Sequence, residues 1–195
     1  MTWYAAVLFS HIAGALFLFA GLALEWLAVS NSRRSLGRVQ AHLWIRLLRS
    51  APKFYVPAIV VVFFSGRYLA SKVGWDQTWI LAALAGLVAI GLIWLIFSLS
   101  RVRGIEKIAS DNPSEFSAAL RQRLNNPVLL ASVRMRVALV FGILLLMVTK
   151  IDSSLSLIIM AGSVGVGTLM AASCWWRPAI KPHRRPTTLR FDERE

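Results

Sequence analysis

Residues Trp3 to Val29, WYAAVLFSHIAGALFLFAGLALEWLAV, form a nearly unbroken apolar run of 27 positions. As a helix rising about 1.5 Å per residue, such a run crosses a hydrocarbon layer of about 30 Å with some tilt. Its only ionisable residues are His11 and Glu25, fourteen positions apart. At about 100° per residue that spacing brings the two to within roughly 40° of one face, the face that also carries Gly14, Leu18 and Gly21. A bilayer admits polar groups only where they turn toward other helices or a wet cavity, so the remaining spans must assemble against this face. No Lys or Arg precedes the run, and Glu25-Trp26 interrupts the small-residue exit of a secretory leader. The segment is therefore expected to stay as a helix.

The rest of the chain alternates apolar spans with basic stretches. Residues 30–53 carry six Lys or Arg and no acid; Val39, Leu43, Ile45, Leu47 and Leu48 alternate there with Arg46 and Arg49 around Trp44. This reads as a short amphipathic helix lying on an anionic membrane surface, the alternative being a solvated linker. A second span is expected at about 52–70, with Pro52 and Pro57 near its first turn, and a third at about 78–100. In the next basic stretch, Asn112, Pro113 and Glu115 begin an amphipathic helix with Phe116, Leu120 and Leu124 on one side, ended by Asn125, Asn126 and Pro127. Spans at about 128–149 and 153–176 complete an all-α, polytopic bundle of five transmembrane helices over residues 1–176. A basic tail, 177–195, follows. Ala82 with Gly86, Leu87 with Gly91, and Ser163, Gly167 and Ala171 at four-residue intervals supply small residues for close helix approach.

Charge sets the orientation. Of the 22 Lys and Arg residues, nineteen fall in the three inner segments of this arrangement and three, Arg67, Lys72 and Lys150, on the other side. The expectation is N-outside and C-inside in a bacterial cytoplasmic membrane, with anionic lipid at the basic loops. Trp3, Tyr4, Tyr68, Trp75 and Trp79 would mark the outer boundary; Trp26, Tyr55, Trp175 and Trp176 would mark the inner one. The net charge of +13 belongs to these loops, so nucleic acid is not an expected partner. With 57% hydrophobic and 16% charged residues, a soluble domain is excluded. Cys174 is alone, which rules out an internal disulfide and a thiolate metal motif and leaves it as a small packing residue.

Depth along the spans gathers the polar residues into two groups. Near the outer side, His11 and Arg67, with Lys150 and Asp152 above them, could form a pocket in which His11 is a ligand or proton acceptor and Arg67 an anion anchor. Alternatively Arg67 snorkels and His11 bonds a backbone carbonyl. Met147 and Met160 fall in the outer halves of their helices, where they could join His11 around copper(I) or haem, or simply fill the core. Near the inner side, Glu25 lies level with Arg134 and Arg136, and a paired carboxylate is a cheaper occupant of the membrane than a lone one. His42 and His183 sit among basic residues that disfavour cation binding. No hydrolase set, HExxH or phosphate loop is present, so the reading leans away from an enzyme.

The first span, with His11-Ile12 and Ala20-Gly21-Leu22, resembles the opening helix of the CopD-like and HemJ-like small bacterial membrane proteins. Pro57, Gly66-Arg67-Tyr68-Leu69, Trp75, Trp79-Ile80 and Arg134-Met135-Arg136 are similar in order to a sister family of uncharacterised predicted integral membrane proteins. The chain carries Leu24-Glu25-Trp26 where the HemJ-like group has Pro-Arg and a further His, and Arg136 near where a Lys would stand. The resemblance implies haem and protoporphyrinogen oxidation on one side, or copper uptake on the other, with His11 as the carried-over position. Three functional readings stay open: a module binding or passing a metal ion, haem or small anion near His11; a structural or accessory subunit, as a homo-oligomer or with a membrane partner; and a haem-dependent oxidoreductase.

Overall fold

The computed structural model describes residues 2–35, 38–111, 118–150 and 154–176, helical except at short turns and free of strands among those residues. Helix α1 (Trp3–Arg34) runs past Val29 because its polar residues bond back onto it: Asn31 Nδ2 donates to the Leu27 carbonyl at 2.9 Å and Ser32 Oγ to that of Val29 at 3.0 Å. Its buried face is Gly14, Leu18, Gly21, Leu22, Glu25, Ala28, Val29 and Ser32.

Helix α2 (Arg38–Val73) corrects the expectation of a surface-lying helix followed by a separate span. The two are one helix, continuous through Pro52 and Pro57. Ala41, Ile45, Leu48, Ala51, Tyr55 and Ala58 are all buried, so a single stripe at helical spacing crosses both prolines. A proline forfeits one backbone bond, but in an apolar setting the flanking peptide groups have no water to turn to and stay helical. Of the apolar residues expected on the surface-lying helix, Val39 and Leu43 are exposed, while Ile45 and Leu48 enter the core. Gly74, at φ 117°, ends α2 where a side chain would be strained.

Helix α3 (Thr78–Ile93) continues through a five-residue π turn, Trp94–Ser98, into α4 (Leu99–Asp111), so the third span merges with the second basic stretch. The short α5 (Ala118–Leu124) buries Leu120 and Leu124 against Val102, Ile105 and Leu129. Asn126 caps α6 (Pro127–Thr149), its side chain accepting from the Val128 amide at 2.9 Å, with Pro127 in the first turn. Lys150, left-handed at φ 47°, closes α6. Helix α7 (Ser154–Trp176) completes the chain. The expected cap at Asn112, Phe116, Asp152 and the tail 177–195 lie outside the described residues.

Among the described residues, five stretches are long and apolar enough to cross a membrane: Trp3–Arg34, Val39–Val73, Thr78–Ile105, Leu120–Thr149 and Ser154–Cys174. The fold is an all-α, multi-pass membrane bundle. Helices α1 and α2 form one hairpin and α6 and α7 another; α3 lies against α6 and α7, and α1 also meets α6. Phe9, Leu16, Phe64, Val148 and Leu169 point outward, each more than 60% exposed, which suits hydrocarbon rather than water.

Small residues set the closest approaches. A methyl built on Gly21 would fall 2.8 Å from Tyr55 Cβ and 3.2 Å from its backbone nitrogen, and one on Gly14 would fall 2.9 Å from a Val62 methyl. On α7, Ser163 sits against Gly142, Gly167 against Met135 and Ala138, and Ala171 joins the core at the basic end. This ladder is used inside the chain, between α6 and α7. A methyl on Gly86 would meet Met160 and Ile143, whereas one on Gly91 would meet no side chain of the described residues within 4 Å.

Candidate functional site

Glu25 and Arg136 meet in the middle of the bundle, both fully buried. Arg136 Nη1 donates to Glu25 Oε2 at 2.9 Å and Nη2 to Oε1 at 2.8 Å, the parallel fork that a guanidinium and a carboxylate make best. Its other N–H groups are also engaged: Nη1 donates to Tyr55 Oη at 3.3 Å, Nη2 to Ser98 Oγ at 3.1 Å and Nε to the Ser132 carbonyl at 3.2 Å. All five guanidinium donors therefore have acceptors. The hydroxyls have one consistent direction. Ser132 donates to the Leu129 carbonyl at 2.8 Å, so Ser98 donates to Ser132 across 3.0 Å while accepting from Arg136. Tyr55 places its ring 5.7 Å from the guanidinium carbon and meets Trp94 edge-on at 6.1 Å.

Of the two arginines level with Glu25, the structure thus brings Arg136 to it. Arg134 is two residues earlier, about 200° around α6, and turns the other way. Its Nη1 lies 2.7 Å from both the Met170 carbonyl and Ser173 Oγ and 3.3 Å from Cys174 Sγ. Sequence reasoning missed Tyr55, Ser98 and Ser132. Tyr55, expected as a boundary aromatic, is instead wholly buried. Hydroxyls inside apolar spans usually bond their own helix, as Ser10 and Thr168 do here, so nothing in the sequence singles these out. Ser98 ends the π turn and meets Ser132 on α6.

A second feature lies at the N-terminal end, a cavity of about 470 Å³ walled by α1, α2, α3 and α6. His11, Arg67, Met147 and Lys150 line it together with Trp75 and Trp79; Met160 does not, and no carboxylate does among the described residues. His11 Nδ1 is 3.0 Å from Ser65 Oγ, and that hydroxyl donates to the Val61 carbonyl at 2.5 Å. With its one proton so committed, Ser65 accepts from His11, which assigns the proton to Nδ1 and leaves the lone pair on Nε2. His11 is therefore held from α2 by the Ser65 side chain and, as one of the two expectations had it, by a backbone carbonyl, that of Val62.

This arrangement suits some ligands better than others. A histidine whose Nδ1–H is fixed and whose Nε2 is free is set up to coordinate a metal or accept a proton. Copper(I) would need more soft donors than His11 and Met147, and Met160 is occupied against Gly86. Among the described residues no three His, Cys, Asp or Glu side chains converge as a metal site. Haem needs only an axial nitrogen, an apolar slot and cations for its carboxylates, which His11, the cavity walls and Arg67 with Lys150 could provide.

No curated protein and no solved structure matches the chain. Residues 5–151, which include His11, Glu25, Tyr55, Arg67, Ser98, Arg136 and Lys150, match the family described as predicted integral membrane protein (DUF2269). With the match spanning four of its five membrane-length helices, the chain belongs to this family of predicted integral membrane proteins.

Proposed function

We propose that the chain is a membrane-embedded binding protein whose N-terminal cavity takes an apolar ligand carrying an anionic group. The observation that carries this reading is the cavity's composition: a largely apolar volume within the range of small-molecule sites, lined among the described residues by two cations, one histidine and no carboxylate. Arg67 and Lys150, both exposed, would hold the anion, and His11 Nε2 would accept a proton or a metal bond from the ligand. Fatty acids and haem both belong to this class; haem, when bound, would supply redox chemistry, and the chain's own part would be to position it. The excess of Lys and Arg at the opposite end favours an orientation with the cavity opening on the outer side.

The test is made on the full chain purified in mild detergent, after growth with haem supplied. An absorption spectrum and mass spectrometry of extracted lipids are compared with those of His11→Ala and Arg67→Gln. Retention of haem or of an acidic lipid by the wild type, lost in both variants, supports the reading. A wild type that retains neither, or variants that retain as much, would overturn it.

A further inference from the structure

At the basic end, the last turn of α1 and the early turns of α6 bring two half-buried arginines, Arg33 and Arg134, toward Cys174 in the last turn of α7. Arg134 is engaged only by neutral acceptors on α7, as described above, and its Nε is buried with no partner. Arg33, in the last turn of α1, donates from Nη2 to the Asn125 carbonyl at 3.4 Å, and its Nη1 is likewise buried with no partner. The two guanidiniums are close enough for their charges to oppose one another, and both charges act near the Cys174 sulfur. Neither has a carboxylate partner among the described residues, although Arg136, two positions away on α6, has a bidentate one. Two like charges with idle N–H groups, partly withdrawn from water, are costly unless an anion joins them. The negative end of α1 offsets part of this for Arg33, but leaves the idle donors unmet.

We propose that Arg33 and Arg134 form a phosphate site between the ends of α1 and α7 and the start of α6, occupied by the headgroup phosphate of an anionic membrane phospholipid. The chemistry fits a tetrahedral oxyanion: guanidiniums from two helices offer donors from different directions, while the Ser173 hydroxyl, which donates to the Met170 carbonyl, only helps to hold Arg134 in place. The site lies at helix ends, the level at which a bilayer presents its phosphates. Acyl chains would then lie along the outward apolar surface of α7, where Leu169 is exposed. The site is separate from the N-terminal cavity and does not depend on what that cavity holds.

The test uses the full chain and native mass spectrometry in detergent, with phosphatidylglycerol, phosphatidylcholine and inorganic phosphate as probes. Wild type should retain phosphatidylglycerol over phosphatidylcholine, and Arg33→Gln with Arg134→Gln should lower that retention about ten- to thirtyfold. Arg34→Gln with Arg46→Gln removes the same charge from exposed positions and should change retention less than about threefold. Equal loss in both pairs would reduce the effect to diffuse charge and overturn the site. So would equal retention of the two lipids, or inorganic phosphate binding as tightly as phosphatidylglycerol. If the double variant does not fold, Arg33→Gln alone, at a helix end, carries the comparison and should lose about three- to tenfold.

Discussion

Replacing Glu25 with Gln keeps the length and shape of the side chain and removes its charge, so Arg136 retains its neighbours and loses its counter-ion. Both short bonds of the fork, 2.8 and 2.9 Å, lose their ionic component, and the new amide NH2 must face a guanidinium N–H, donor against donor. Arg136 cannot shed its proton, and its burial leaves no route to water. Breaking a buried pair from one side typically costs about 3–5 kcal/mol, and Glu25→Gln is expected in that range. Arg136→Met should cost less, about 2–3 kcal/mol, because an orphaned carboxylate can take up a proton whereas an orphaned guanidinium stays charged. The double variant Glu25→Gln, Arg136→Met should be more stable than the sum of the singles implies, by about 2 kcal/mol or more. Reversible unfolding of the full chain in bicelles, run as a double-mutant cycle, measures all three. Ordinary interhelical hydrogen bonds in membranes contribute about 0.6 kcal/mol, so a coupling near or below that value would refute the reading that charge pairing is what the network supplies.

Gly21→Ala should destabilise the fold by about 1–3 kcal/mol in the same assay, since the added methyl meets the α2 backbone at Tyr55; Gly14→Ala, which meets the side chains of Val61 and Val62 but no backbone atom among its nearest contacts, should cost less. Ser65→Ala should loosen His11, leaving it the Val62 carbonyl, lowering stability by about 1 kcal/mol or less and weakening ligand retention by less than His11→Ala does. In a Cys174→Ala background, a cysteine at Trp75 should react with an impermeant maleimide from outside intact cells and one at Arg46 only after permeabilisation; the reverse pattern would invert the proposed orientation.

The class of fold was legible because hydropathy over a helix-length window depends on no tertiary contact: Trp3 to Val29 can satisfy its backbone in a bilayer only as a helix. The buried face of α1 was legible for a related reason, since spacing alone puts Glu25 with Gly14, Leu18 and Gly21. Partners across helices were not. Depth placed Arg134 and Arg136 equally near Glu25, and the choice turned on the rotation of α6, fixed by the fit of Gly167 against Met135 and of Ser163 against Gly142. Met160 failed to join His11 for the same reason, its depth suitable and its direction wrong. The unbroken course of α2 was hidden by the prolines, which locally signal a helix start, and only the stripe from Ala41 to Ala58 outweighs them. The π turn leaves no mark in the residue pattern.

The central pair also bears on the cavity. Arg136 on α6 reaches Glu25 on α1, Tyr55 on α2 and Ser98 at the α3–α4 junction, so it ties the same helices that wall the cavity. A fork of two bonds permits no slip of a helical turn, about 5.4 Å, without losing both, so the pair fixes the register of these helices. His11 stands fourteen residues from Glu25 on a continuous helix, about 21 Å along its axis, so any shift of α1 at Glu25 is carried to His11 as a rigid displacement. Glu25→Gln should therefore weaken both stability and ligand retention although it touches no ligand. His11→Ala, lining a cavity and held only by Ser65 and the Val62 carbonyl, should remove retention with a stability change of about 1 kcal/mol. If Glu25→Gln unfolds more easily yet binds as wild type does under folded conditions, the pair stabilises the bundle without setting the cavity's shape, and the mechanical link between the two is wrong.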